Sequence, residues 1–516
     1  MKVPARAAEG KRARPKSARR RSREAALQGL YEWLLGGADS RVIDVHIREQ
    51  EGFDKCDTAH FDALLHGCIA EAADIDAVLV RHVDRKTSLL SPIEHAVLMI
   101  GTYELRHCVD IPYKVAINEA VELAKSYGGT DGHKYVNGVL DKAAAELARS
   151  PACDARSGGR PMIFLNIGEP DFSAPPLVRE AAERCVQAGR TQYTPATGLP
   201  ELRERISQWY GERFGLDVAP GRIVVTAGAS AALQLACLAL VDHGDEVLLP
   251  DPSYPCNRHF VAAVGGVPAL LPASSAERYQ LSAATVESAW TPHTRGVLLA
   301  SPSNPTGTSI DPDEMSSIAK VVRSRGGFTI VDEIYLGLSY EDRFGHSALM
   351  HGDDVVSINS FSKYFSMTGW RLGWIVVPPE LLLPIEKLAQ NLYICASTVA
   401  QRAALACFEP ASIAEYERRR AEFRARRDFV VPALERIGLS VPVMPDGAFY
   451  AWFDCSAHAS SSWDFCFDMM RRAHVALTPG RDFGHCGSER FVRLSFANSM
   501  PQLQEALVRL ERVLSH

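Results

Sequence analysis

No apolar run in this sequence reaches the roughly 20 residues that a membrane-spanning helix needs. Its beginning is basic but lacks the apolar core of a secretory signal. The twelve cysteines include no Cys-x-x-Cys pair, and no His/Cys cluster has metal-ligand spacing. These absences argue against a membrane protein, a disulfide-built secreted domain and a metal centre. They fit reduced, mostly structural thiols in a cytoplasmic protein. No internal repeat is found between the two halves. Net charge is only −6, yet it is uneven: residues 2–23 hold ten Lys/Arg and one Glu. Such a run reads as a disordered, solvated tail, and it is also a common footprint of a nucleic-acid-binding arm.

What is present is a soluble composition, 47% hydrophobic and 23% charged, over 516 residues. That length predicts two or three domains. After the tail (residues 1–22) the periodicity is helical. Ala26, Leu27, Leu30, Tyr31 and Leu34 share one face, and Gly36-Gly37 ends that helix. Amphipathic stretches follow at Phe61–Ala73, Ile75–Val83 and Pro92–Cys108. Ile117, Ala120, Val121 and Ala124 mark another helix, stopped by Gly128-Gly129, and Tyr135–Leu147 a last one. No strand pattern interrupts them, so residues 23–148 read as an all-α helical bundle. Residues 149–161 are small, polar and rich in Gly and Pro, the mark of a linker.

The opening run Arg23–Trp33 resembles the first helix of the NusB transcription antitermination family. Ile111–Lys125 and Lys134–Asp141 are similar to its two later signatures, in the family's order. The resemblance implies binding of a short single-stranded boxA-like RNA together with a NusE-like ribosomal protein. Arg20, Arg21 and Arg23 would meet phosphates, and Tyr135 would stack on a base or pack within its helix.

From residue 162 short apolar runs alternate with helical stretches. The runs are Ile223–Thr226, Glu246–Leu249, Gly296–Ala300, Thr329–Val331, Val355–Ile358 and Trp374–Val377. They predict an α/β domain with a mostly parallel sheet, whose ligand site gathers beyond the carboxyl ends of the strands. Between the last two runs lies Lys363, with Arg371 eight residues on. A lysine between buried strands costs free energy unless it is paired or neutralised, and an imine with an aldehyde cofactor is one neutralising route. Arg371 would then hold an anionic group of the same cofactor.

Other polar motifs sit at the expected strand ends: Thr226–Leu233, Asp251–Pro255, Ser301–Gly307 and Val331–Tyr335. The first suits a phosphate at a helix N-terminus. The last ends a strand in two acids, costly unless a partner such as a pyridinium N–H is supplied. In this order, and from Leu165–Phe172 to Arg490–Ala497, the segment resembles the fold-type I, pyridoxal 5'-phosphate-dependent aminotransferases of class I/II. The resemblance implies the roles. Lys363 would form the imine and then act as general base. Asp332 would keep the pyridine nitrogen protonated. Asn304 and Tyr335 would bond the ring's 3′-oxygen, and Tyr254 would stack on the ring. Arg371, Ser360, Ser362 and the amides of Ala229 and Ser230 would hold the phosphate. Tyr193 would reach a partner subunit's phosphate in a homodimer. Arg493, helped by Gly168 and Asn304, would clamp the substrate α-carboxylate. Residues of about 190–400 would form a large domain, and about 401–516 with 162–189 a small one.

Two departures stand out. Position 230 matches a lysine that reads the distal carboxylate in dicarboxylate-specific relatives, and here it is serine. An N-terminal arm that relatives carry before the Gly-Glu-Pro-Asp motif is missing at this place. The reading is therefore a fusion: an antitermination or termination factor domain, then a transaminase moving an amino group from an amino acid to a 2-oxo acid. The alternatives are other pyridoxal-phosphate chemistry on the same scaffold, such as a β-lyase, or a non-catalytic ligand-sensing half. No communication between the halves is expected.

Overall fold

The computed structural model describes residues 17–108, 111, 113–129, 132–147 and 161–515. Residues 1–16 of the expected tail and nearly all of the expected linker lie outside the described residues. The chain divides into two compact units at Pro161/Met162.

Among the described residues of the first unit the regular elements are helices alone. They are α1 (Ala18–Gly36), α2 (Ser40–Arg48), α3 (Thr58–Ala70), α4 (Ala72–Leu79), α5 (Pro92–His107), α6 (Tyr113–Tyr127) and α7 (Gly132–Leu147). The first helix corrects an expectation: residues 18–22 are not tail but its opening turns. Ser17 caps it by accepting from the Arg20 amide, and the Ser22 hydroxyl donates to the Asp57 carbonyl at 2.7 Å. Gly37 ends it in the left-handed conformation (φ 60°), which glycine adopts without a Cβ penalty. Helix α2 had no forecast. It buries only Ile43 and Ile47, one turn apart, and leaves Val42 and Val45 exposed. A Ser91/Glu94 capping box starts α5. That helix runs through the core, with Ala96 to Ile100 all fully buried.

The second unit is built on a seven-stranded sheet in the order β2-β8-β7-β6-β5-β3-β4. The strands are β1 (Ile163–Phe164), β2 (Ile223–Thr226), β3 (Glu246–Asp251), β4 (Val267–Pro272), β5 (Thr294–Ala300), β6 (Phe328–Asp332), β7 (Val355–Ser360), β8 (Gly373–Val376), β9 (Tyr450–Asp454), β10 (Val475–Ala476), β11 (Thr478–Pro479) and β12 (Phe491–Ser495). Strands β3 to β7 pair in parallel, while β8 runs antiparallel to both β2 and β7. All six expected runs are strands of this sheet. The strand without a forecast, β4, is a half-exposed edge containing two prolines, where proline does least harm. Alternate residues supply opposite cores. Val356 and Ile358 pack under the helix Ala229–Leu240, and Val355 packs on the other face with Val297 and Val331. A smaller antiparallel sheet, β11-β12-β9, carries the C-terminal residues, and β1 pairs with β10 beside it.

Candidate active site

Beyond the carboxyl ends of the parallel strands lies a cavity of about 510 Å³. Its wall includes every residue expected to touch cofactor or substrate except Tyr193. Tyr193 lies outside it, 78% exposed. The β7–β8 excursion, residues 361–372, delivers Lys363 and Arg371 to this cavity from two well-buried strands.

The Lys363 Nζ donates to the Gly168 carbonyl at 2.7 Å and lies 5.7 Å from the ring centres of Tyr335 and Phe449. Burial pulls its ammonium down to about 8, against the raising influence of Glu169. An amine so placed is a usable nucleophile and base near neutral pH.

Asp332 ends β6 with its carboxyl buried. The Ile334 amide donates to it at 3.2 Å, and no ion pair reaches it among the described residues. Burial pushes this carboxyl up to about 7. The neighbouring acid has a different task. Glu333 accepts from the Ser347 and Ser357 hydroxyls and the Ala348 amide at 2.6–2.9 Å, so it ties β6 to β7 and the following turn. Burial pushes it up to about 7 as well. Of the two acids, Asp332 alone lines the cavity.

At one end of the cavity no side chain caps the helix Ala229–Leu240, which leaves its first amides unpaired. Gly228 precedes it at φ 86°, and a Cβ there would collide with the Arg371 guanidinium. Arg371 is itself left-handed (φ 52°), and its Nη1 donates to the Thr368 carbonyl at 3.0 Å. The Ser360 hydroxyl donates to the Leu372 carbonyl and accepts from the Ser362 amide. Free amides, a guanidinium and hydroxyls converge there, as a phosphate requires.

At the other end Arg493 projects from β12. It donates to Asn304 Oδ1 at 2.8 Å and to the Asn166 carbonyl at 2.6 Å. The Tyr450 and Phe483 rings flank its guanidinium at 4.5 and 4.9 Å. Its Nε is buried without a hydrogen-bond partner. Tyr335 shares a 2.8 Å hydrogen bond with Tyr450, and burial drives the Tyr335 phenol upward. Tyr254 also faces the cavity, its phenol raised chiefly by burial.

Sequence reasoning passed over Tyr450. Nothing polar surrounds it in Gly447-Ala448-Phe449-Tyr450, and only the β9–β12 pairing, which sets Tyr450 opposite Ser495, brings it to Arg493.

In the first unit one expectation needs correction. Arg23 is 4% exposed and bound to Glu104 at 2.8 Å, with Glu119 at 3.6 Å. It is a core ion pair, not a surface group for a phosphate. Arg20 pairs with Glu24 and Glu119, both at 3.2 Å. Arg21 is half-buried on the wall of a separate cavity of about 450 Å³. The Tyr135 hydroxyl donates to Asp84, and the Arg85 guanidinium lies 5.4 Å from its ring centre.

A depressed lysine, a buried strand-end carboxylate and an arginine-lined helix N-terminus around one cavity define a pyridoxal-phosphate-dependent transferase. The group fits the residues present: the unpaired Asp332 carboxylate suits a cationic ring nitrogen, and the Gly228–Arg371 approach suits a phosphate. The chain belongs to the class I and II aminotransferase family, which it matches over residues 160–510, and residues 20–145 match the NusB family. It is a NusB–aminotransferase fusion. Over 350 residues it is 38% identical to the valine–pyruvate aminotransferase of Mycobacterium tuberculosis, covering 68% of this chain and 90% of that relative. It is 36% identical over 359 residues to an aspartate aminotransferase of Thermotoga maritima, covering 69% and 92%. The crystal structure of an aminotransferase from Mycobacterium tuberculosis superposes with a TM-score of 0.68 at 37% identity, covering 70% of this chain and 94% of that one. Among the described residues no helix is long and apolar enough to cross a membrane.

Proposed function

We propose that the second unit transfers the amino group of amino acids with neutral side chains to a small 2-oxo acid. The observation that carries this reading is that Lys363, Asp332 and Arg493 line one cavity. Pyridoxal phosphate, when bound, supplies an aldehyde to take the amino group and a ring to take up electrons from the α-carbon. Asp332, buried at the end of β6, would accept a hydrogen bond from the ring nitrogen and favour its protonated form. With its ammonium drawn down to about 8, Lys363 would serve as the base that takes a proton from the substrate α-carbon. Tyr335 and Asn304, both on the cavity wall, would hold the 3′-oxygen. Arg493 grips the α-carboxylate with paired N–H groups and so orients the bond to be broken.

The substrate class follows from charge. The cations on the cavity wall are Lys363, Arg371 and Arg493, each already assigned, and residue 230 is serine. A side-chain carboxylate finds no further cation among the described wall residues. Similarity to a valine–pyruvate aminotransferase supports the same class. The exposed side chain of Tyr193 supports a homodimer in which it meets the partner's phosphate.

For the first unit we propose binding of a boxA-like single-stranded RNA with a NusE-like ribosomal protein in the cytoplasm. The NusB match and the basic run ahead of Arg23 support it.

The test is the visible spectrum of the purified chain as amino acids are added singly without an oxo acid, pyruvate following to restore the band. A band that bleaches with neutral amino acids and is absent in Lys363→Ala supports the reading; a band that none of them bleaches overturns it.

A further inference from the structure

The Asp251-Pro252-Ser253-Tyr254 segment does more than present Tyr254. Asp251 is the last residue of β3, and its carboxylate is buried. It accepts from the His485 amide at 2.9 Å and the Cys486 amide at 3.2 Å. Both belong to the loop that precedes β12 and its Arg493. Two neighbours secure the same loop. The Ser253 amide donates to the Phe483 carbonyl at 2.9 Å, and the Arg258 guanidinium donates to the carbonyls of Phe483 and Asp482 at 3.3 and 3.1 Å. Gly484 completes the fit: a Cβ there would overlap the Asp251 carboxylate.

The anchored loop reaches the site through one ring. Phe483 is buried, meets Trp452 edge-on at 5.7 Å, and lies 4.9 Å from the Arg493 guanidinium. Together with Tyr450 at 4.5 Å, it packs against the guanidinium that would receive a carboxylate. Two hydrogen bonds to a charged acceptor are strong, and a buried acceptor cannot trade them for water without cost.

We infer that Asp251 is a positioning residue for the substrate-carboxylate clamp: it fastens the Phe483–Cys486 loop, and the loop holds Phe483 against Arg493. The inference rests on the reading of Arg493 as that clamp. One segment thereby sets both the ring-stacking tyrosine and, through the loop, the carboxylate end of the same cavity.

The test uses the holoenzyme. In Asp251→Asn one amide oxygen replaces two carboxylate oxygens, and the new N–H group faces other N–H groups. Hydrogen exchange at the amides of His485 and Cys486 is expected to quicken. The KM values for amino donor and oxo-acid acceptor are expected to rise together by about tenfold. Turnover at saturating substrate is expected to change much less than KM, because the loop bears on Arg493 rather than on Lys363. Faster exchange with unchanged KM, or unchanged exchange, overturns the inference. A second arm serves if Asp251→Asn folds poorly. Gly484→Ala alone should raise KM, whereas adding it to Asp251→Ala should cost nothing more, since its collision partner is gone; additive losses overturn the inference. Arg493→Lys in parallel separates the two ideas. If it leaves KM unchanged, the clamp reading fails and takes the inference with it. If it raises KM while Asp251→Asn does not, only the inference fails.

Discussion

The Tyr450 hydroxyl lies 2.8 Å from the Tyr335 hydroxyl, while the Tyr450 ring lies 4.5 Å from the Arg493 guanidinium. One side chain thus touches the phenol assigned to the cofactor's 3′-oxygen and the cation assigned to the substrate. Tyr450→Phe keeps the ring and removes the hydroxyl. With the Tyr450 hydroxyl donating to Tyr335, the substitution removes a polarising partner, so Tyr335 donates less strongly to the 3′-oxygen and leaves more charge on it. The pH midpoint of the visible band should rise by about half to one unit, as loss of one hydrogen bond allows. A spectrophotometric titration of the two proteins decides this, and an unmoved midpoint refutes the relay.

Lys363 should show its depressed ammonium in kinetics. Only the neutral amine attacks an aldehyde, and burial brings its pKa to about 8. The rate at which the cofactor-free chain develops visible absorbance with pyridoxal phosphate should climb with pH through a midpoint near 8. A midpoint near the 10.5 of an ordinary lysine would mean an open, solvated site.

Asp332 gives a stability signature. Its carboxyl titrates at 3.8 when solvated and at about 7 when buried in the fold. Between those values the native chain holds a proton that the unfolded chain has lost, so stability falls as pH rises from about 4 to about 7. The loss from this one group is on the order of 4 kcal/mol at most. In cofactor-free Asp332→Asn that part of the slope should vanish, leaving the share of Glu333. Urea unfolding of both proteins at pH 5 and pH 8 measures it. With pyridoxal phosphate bound, the same substitution should lower turnover by roughly a hundredfold or more, as loss of a buried electrostatic partner does.

Sequence reached the site more completely than it reached the fold. Asp332 ends β6, Asn304 and Lys363 follow β5 and β7 by a few residues, and Arg371 stands just before β8, all beside runs rich in buried aliphatics. Local pattern and strand-end chemistry sufficed there. What escaped depends on pairing across distance. Tyr450 and Phe483 reach Arg493 only because β9 and β12 are neighbours and Asp251 holds the intervening loop. Arg23 escaped for the converse reason. In sequence it continues a basic run, and only the fold sets Glu104, 81 residues away, against it. Helix α2 and edge strand β4 escaped because each buries too little to print a period.

The Arg23–Glu104 pair predicts that Arg23→Ala weakens the helical unit rather than a surface contact. Glu104 would be left charged and buried beside His60, its other neighbour at 3.0 Å. Removing one partner of such a pair costs about 3–5 kcal/mol. The first unfolding transition of the full chain, followed by circular dichroism, should move to lower temperature. Below that transition, the salt slope of RNA binding should match that of the unchanged protein, because no phosphate contact is lost. For an arm neutralising about five phosphates that slope is roughly −3.5. A shallower slope with an unmoved transition would return Arg23 to the surface.

Ser230 decides how the cavity treats a second carboxylate. It sits in the first turn of the uncapped helix Ala229–Leu240 and on the cavity wall. Its small neutral side chain adds no charge, so an aspartate side chain would leave water for a wall without a free cation. Ser230→Lys places an ammonium on the same wall. The ratio of kcat/KM for aspartate over alanine should rise by about tenfold or more, the scale of one charge-assisted hydrogen bond. The gain should sit mainly in KM, because the distal carboxylate is bound equally in ground and transition states. A ratio that does not move would mean that the substrate side chain points away from residue 230. The neutral-substrate reading would then have to rest on the rest of the wall.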